Sequence, residues 1–203
     1  VITDLSGNGR HGVYTGVDLG QPGIGDGRTC PLWDGVNDYG NVYSAGLAGA
    51  FNTSEGTLAL WLRAASAGVW TDATTRNIAR FAVSVSNEVR IQREATNGVV
   101  SVRYTGGGTN KQVNISSLSG TGWYHVALSW SIAANELRGY LGGVQQGATQ
   151  TGLGAWVGAL TSTTTILGAF STLPQFVWSG SIAHAALWST PLSAADVARL
   201  ATL

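Results

Sequence analysis

The feature that most constrains this chain is a two-residue alternation of apolar and polar side chains, repeated in short runs between glycine-bearing turns. "TLALWLRA" at 57–64 sets Leu58, Leu60 and Leu62 on one face and Ala59, Trp61 and Arg63 on the other. "WYHVALSW" at 123–130 does the same, with Tyr124, Val126, Leu128 and Trp130 opposite Trp123, His125, Ala127 and Ser129. Such segments are strands with one face on a core. "EVRIQRE" (88–94) and "VVSVRYT" (99–105), joined by "ATNG", predict a hairpin, and "LRGYLGGVQQG" (137–147) predicts another turning at Gly142-Gly143. Further strands are predicted at 28–34, 37–44, 78–85, 112–116, 163–168 and 179–188. Only the end reads as helix: Pro191, then Ser193 as N-cap, then "AADVARLATL", placing a helix near 193–201. No Pro-rich or Ser-rich linker divides the chain and no fixed-period repeat is present, so a single domain over 1–203 is expected. Many short strands at this spacing mean a two-sheet sandwich or a barrel.

Composition narrows the function classes. Lys+Arg 11 balance Asp+Glu 11, and Lys111 is the sole lysine. Charged residues make up 11%, against about 25% in an ordinary soluble domain. A surface so poor in cations holds polyanions weakly, so neither nucleic acid nor an anionic membrane surface is an expected partner. No stretch is apolar enough to cross a bilayer. Val1 opens the sequence without a charged n-region, so no signal peptide is visible: one was removed, the chain is an excised module, or none existed. Cys30 is alone, which excludes an intrachain disulfide and marks it as a small buried hydrophobe.

The ordered landmarks "DLSGNGRHG", "PLWDGVNDYGNVY", "GTLALWLRA", "GWYHVALSW", "LRGYLGGV", "ILGAF" and "SGSIAHAALWSTPLSAADVARL" resemble the laminin-G-like, concanavalin A-like jelly-roll domains, particularly the bacterial and phage group. Members of that group typically open on D-x-S-G-N and close on a strand followed by an L-S-x-x-[DE] helix. The resemblance covers nearly the whole chain and implies an all-β, two-sheet antiparallel jelly-roll sandwich with a short C-terminal helix. It does not imply one function, since the fold hosts lectins, adhesins, hydrolases and structural modules. One departure stands out: the group usually carries Asp-Glu after G-x-I in the last strand, and here Ala183 and His184 occupy those places.

The opening motif has two readings. Asp4, Ser6, Asn8 and Gly9 match the start of a calcium loop, and Asp34 could add a carboxylate from "DGVNDYG". The twelfth loop position is Thr15 rather than a bidentate acid, and Arg10 sits within the loop. A metal-free turn is therefore favoured, with calcium on Asp4, Asn8 and Asp34 as the alternative and no cofactor otherwise expected. "DGVNDYG" is expected to be a hairpin turn, and "TGGGTN" (105–110) a flexible loop.

Catalysis is not expected. Glu55, Glu88, Glu94 and Glu136 are isolated, whereas glycoside hydrolysis needs paired carboxylates. No G-x-S-x-G elbow is present, and His11, His125 and His184 lack metal-ligand spacing. His125 is expected to be a packed sheet residue. The eight tryptophans point instead to recognition, because indole faces stack on sugar C–H faces. Trp33, Trp61, Trp123, Trp130 and Trp188 lie in strands and are expected in the core. Trp70, Trp156 and Trp178 lie in or beside loops and are the expected binding platforms, with Arg76 as a polar contact. Two settings fit: a module binding a glycan or a surface protein outside the cell, or a decoration or adhesion component packed against neighbouring subunits on a virion surface.

Overall fold

The computed structural model describes residues 1–116 and 118–202. In chain order the strands are β1 (Val13–Thr15), β2 (Asp18–Pro22), β3 (Thr29–Asp34), β4 (Tyr39–Asn41), β5 (Glu55–Ala64), β6 (Arg76–Ser84), β7 (Asn87–Arg93), β8 (Val100–Gly106), β9 (Thr109–Ile115), β10 (Tyr124–Ser131), β11 (Glu136–Leu141), β12 (Val144–Gln150), β13 (Thr165–Leu167) and β14 (Ser179–Trp188). Helix α1 (Ala45–Ala50) precedes β5, and helix α2 (Ala194–Leu200) follows β14. Two seven-stranded sheets result, ordered β1-β4-β13-β6-β7-β8-β9 and β12-β11-β10-β5-β14-β3-β2. The named strand pairs are antiparallel, which makes the architecture an all-β sandwich with a short terminal helix.

Alternation decides which sheet face meets which. Leu58, Leu60 and Leu62 of β5 and Val126, Leu128 and Trp130 of β10 are buried in the main core, where they meet Val89, Ile91, Val102, Tyr104 and Val113 from the other sheet. Each such aliphatic side chain contributes about 1.5–3 kcal/mol by leaving water. On the reverse face of the second sheet, Ala59, Ala127 and Tyr140 form a smaller cluster closed by Val197 of α2. Ser193 caps α2, its hydroxyl accepting from the Asp196 amide at 3.2 Å. This satisfies one of the orphan donors at the helix start.

Two turn expectations are corrected. "DGVNDYG" joins strands of different sheets, since β3 pairs with β2 and β14 while β4 pairs with β1 and β13. It is an arch between layers rather than a hairpin. "TGGGTN" is no flexible loop: Thr105 and Gly106 end β8, Thr109 and Asn110 begin β9, and Gly107 and Gly108 make the turn at φ +53° and +83°. Two successive positive φ values match the right-handed twist of the flanking strands, which is why glycines sit there. Strands β1 and β2 and helix α1 carried no periodic signal, being short and exposed along most of their length.

Candidate functional site

The loop tryptophans are interior, which corrects the expectation that they form exposed platforms. Trp70 is 1% exposed, Trp178 0% and Trp156 9%. Trp70 closes a 3-10 turn (Ala67–Trp70), packs its ring 5.8 Å from that of Trp178 and donates its indole N–H to the Gly120 carbonyl at 2.7 Å. Trp156 lies elsewhere in the core, 5.4 Å from Phe51 and 6.1 Å from Tyr104. The physical reason is geometric. The open ends of a sandwich must be plugged, and a loop indole covers more apolar area than any other side chain. Arg76 is committed to structure as well, donating to the Val177 carbonyl at 3.0 Å and to Asp72 at 2.7 Å.

The opening loop is a knot of side chain to backbone bonds. The Asp4 carboxylate accepts the Ser6 and Arg10 amides, each at 2.8 Å, and the Asp4 amide donates to Nδ1 of His11 at 3.1 Å. A bond with Ser6 and the two amides holds this carboxyl down to about 2. Asn8 donates to the Ser6 hydroxyl at 2.8 Å. Asp34 accepts the Val36 amide at 2.7 Å, and Asp38 accepts the Asp34 amide at 2.8 Å. Asp4, Asn8 and Asp34 thus act as turn residues, and among the described residues no group of three His, Cys, Asp or Glu gathers as a metal cage would.

The partly exposed indoles sit where strand position had suggested core. Trp33 and Trp130 are buried at 1%, but Trp61, Trp123 and Trp188 are only partly covered. Trp188 packs against the cluster under α2. Trp61 and Trp123 share the outer face of the second sheet. Trp61 pairs with His125 across β5 and β10, their ring centroids 5.3 Å apart at 58°. Tyr124 pairs with Leu62, so Trp123 stands opposite Arg63, whose guanidinium lies 4.7 Å above its ring. Arg63 is steadied by the Pro22 carbonyl at 3.2 Å and the Ser181 hydroxyl at 3.4 Å.

These contacts build a small surface of definite chemistry. Two indole faces lie beside a fixed cation, a combination that both stacks on and hydrogen-bonds to a polyhydroxylated ring. His125 is 3% exposed, and burial pushes its imidazole down to about 4, so it is neutral at pH 7. Its Nδ1 has no partner among the described residues. Ala183 pairs with Trp61 on the other side, and directly after it β14 bulges, with His184 at φ +47°. The His184 ring turns outward to bond Asp26 at 2.9 Å. His184, which stands where the sequence resemblance implies an acid, thus makes a hydrogen bond to an acid of the β2–β3 loop.

A separate cleft of about 580 Å³ lies between the N-terminal segment, β3 and β14, with Ala183 and His184 on its wall. Ile2, Trp33, Leu58 and Leu187 make much of its lining apolar, while Asp4 and Arg10 lie at the N-terminal side.

The two seven-stranded antiparallel sheets define a jelly-roll sandwich of the concanavalin A-like type. The chain belongs to the concanavalin A-like lectin/glucanases superfamily, whose family model matches residues 34–198. No curated protein matches it in sequence. Among solved structures it is similar to domain 4 of AbnA, a GH43 extracellular arabinanase from Geobacillus stearothermophilus, in complex with arabinotriose. There the TM-score is 0.67 at 14% identity, over 95% of this chain and 88% of that one. It is also similar to the receptor binding domain of botulinum neurotoxin mosaic serotype C/D, with TM-score 0.72 at 15% identity over 95% of this chain. The chain spans under half of that domain, 46% of its length. A native heptameric SAP-like pentraxin from Limulus polyphemus is similar at TM-score 0.55 and 18% identity, over 74% of this chain and 70% of that one. At such identities the likeness is one of fold.

Proposed function

We propose that this chain, acting as one domain over residues 1–203, is a non-catalytic recognition module that binds glycan at an extracellular surface through Trp61, Trp123 and Arg63. The observation that carries the reading is the Arg63 guanidinium held 4.7 Å over a partly exposed Trp123, next to Trp61. Exposed indoles are costly to leave in water and are retained where a ligand covers them. The arabinotriose complex of one structural neighbour and the receptor-binding description of another support a binding role for this fold. A non-catalytic reading is further supported by Glu88, which is buried against Arg80 rather than free to act on a glycosidic bond. The test is a broad array of immobilised oligosaccharides probed with the wild-type protein and with Trp123→Ala. Hits for the wild type that fade in a folded Trp123→Ala support the proposal. An empty array, or hits that the variant retains, overturns it.

A further inference from the structure

The outer face of the other sheet carries a row of arginines. Arg80 pairs with Arg90 across β6 and β7, Arg90 with Arg103 across β7 and β8, and Arg103 with Gln112 across β8 and β9. Directly opposed like charges repel across a sheet, so such a row needs anions to balance it. Two carboxylates share the face. Glu88 meets Arg80 at 2.8 Å and Arg90 at 3.4 Å. Glu94 lies 3.7 Å from Arg103 and is also occupied by Gln92, at 3.0 Å, and by the Ser101 hydroxyl. Three guanidiniums thus share two acids.

The imbalance falls on Arg90. Arg90 is 7% exposed; among the described residues its one ionic contact is the 3.4 Å approach to Glu88, and its Nε has no hydrogen-bond partner. Burial first, and then the neighbouring Arg103 and Arg80 charges, bring its guanidinium down to about 10 despite Glu88. A buried donor without a partner is costly, and guanidinium is the side chain whose forked N–H groups match a carboxylate. Neutral hydrogen-bonding groups flank the row: Thr105 and Asn110 on one side, Gln92, Ser101 and Asn114 on the other. Phe170 lies 3.8 Å over Arg80 and 5.8 Å from Arg90, and edge-on to it stands Phe176, 49% exposed.

We infer that this face is a second binding surface, distinct from the tryptophan patch, and that it takes a saccharide bearing a carboxylate. The inference rests on reading the chain as a glycan-binding module. The acid group lies against the partly exposed Arg103 at the edge of Arg90, and the exposed Asn110 and Asn114 amides meet the ring hydroxyls, while Thr105, Gln92 and Ser101 are buried beneath them. A carboxylate suits the site because it supplies one charge in a plane, matching the deficit of one anion on the row.

The experiment uses the whole chain in calorimetric titrations at low and high salt. The probes are trigalacturonic acid, sialyllactose, and their uncharged counterparts, carboxyl-reduced trigalacturonic acid and lactose. Each is titrated into the wild type, Arg103→Gln and Trp123→Ala. Arg103 lies at the open end of the row, so its change to Gln leaves the buried Arg80–Glu88 pair in place. The expected result is at least tenfold tighter binding of an acidic probe than of its neutral counterpart, weakening with salt. That preference should vanish in Arg103→Gln and persist in Trp123→Ala. Which acidic probe binds separates a uronic acid from a sialic acid source. Equal affinity for acidic and neutral probes overturns the inference while leaving the glycan-binding reading intact. Loss of the acidic preference in Trp123→Ala overturns it by showing one site rather than two. No binding of any of the four probes also overturns it, and array hits for neutral glycans then decide the wider reading separately.

Discussion

Trp61 and His125 face each other across β5 and β10 with ring centroids 5.3 Å apart, and the indole remains partly exposed while the imidazole is buried. On the proposed reading the indole is the member of the pair that meets a ligand, and the buried imidazole packs beside it. Binding energy at such surfaces concentrates in a few aromatic anchors. Trp61→Ala and Trp123→Ala should therefore each weaken binding of an array hit by about 1–3 kcal/mol. Their stability should stay within about 1 kcal/mol of wild type, as for other surface substitutions. Parallel titration and thermal melts check both halves, and a large drop in melting temperature with unchanged affinity would contradict the assignment.

The loop tryptophans should behave in the opposite way. Trp70→Ala and Trp178→Ala empty a packed aromatic pair and should cost about 3–5 kcal/mol. For a domain of this size that lowers the melting temperature by roughly 6–20 °C, at 2–4 °C per kcal/mol. Differential scanning calorimetry measures it directly, and silent variants would mean that these rings are not core.

Those two outcomes also mark how far the sequence could be read. Alternation alone placed Trp61, Trp123, Arg63 and His125 on the face opposite Leu58, Leu60 and Leu62, where the structure has them. What misled was the general tendency of strand tryptophans to be core and loop tryptophans to be exposed. That tendency holds for Trp33 and Trp130 but fails for Trp61, because a sandwich sheet has an outer face, and the cluster closed by α2 covers a different part of it. Trp70 and Trp178 gave no local signal of burial, since what buries them is each other across more than 100 residues of chain, as their numbering shows. The arginine row was equally hidden. Arg80, Arg90 and Arg103 lie on three strands, and only register brings them side by side.

His125 predicts a pH dependence. Its imidazole has an ordinary value of 6.5 and is lowered to about 4 by burial in the folded protein. Below pH 6.5 the unfolded chain binds a proton that the folded chain refuses until about pH 4. The stability present above 6.5 is therefore lost progressively as pH falls across that window, by up to about 3 kcal/mol. Urea unfolding at pH 7.0, 6.0, 5.0 and 4.5 should show this decline, and His125→Phe should flatten much of it. A wild-type profile level down to pH 4.5 would contradict the burial of a neutral ring.

Chelation should do little. With Asp4, Asn8 and Asp34 occupied by turn contacts, EDTA is expected to move the melting temperature by less than about 2 °C. A tightly held ion at 100 times its dissociation constant would add about 2.7 kcal/mol. Its removal would lower the melting temperature by roughly 5–10 °C. A fall of that size would make the opening loop a calcium site.

The most direct test of the central claim follows the eight indole N–H resonances of the folded protein by NMR while an array hit is titrated in. Binding at the outer face of the second sheet predicts that the Trp61 and Trp123 signals shift progressively and saturate together. Those of the buried Trp70, Trp130 and Trp178 should stay in place. Saturating shifts confined to Trp70, Trp156 or Trp178, with Trp61 and Trp123 unmoved, would contradict it.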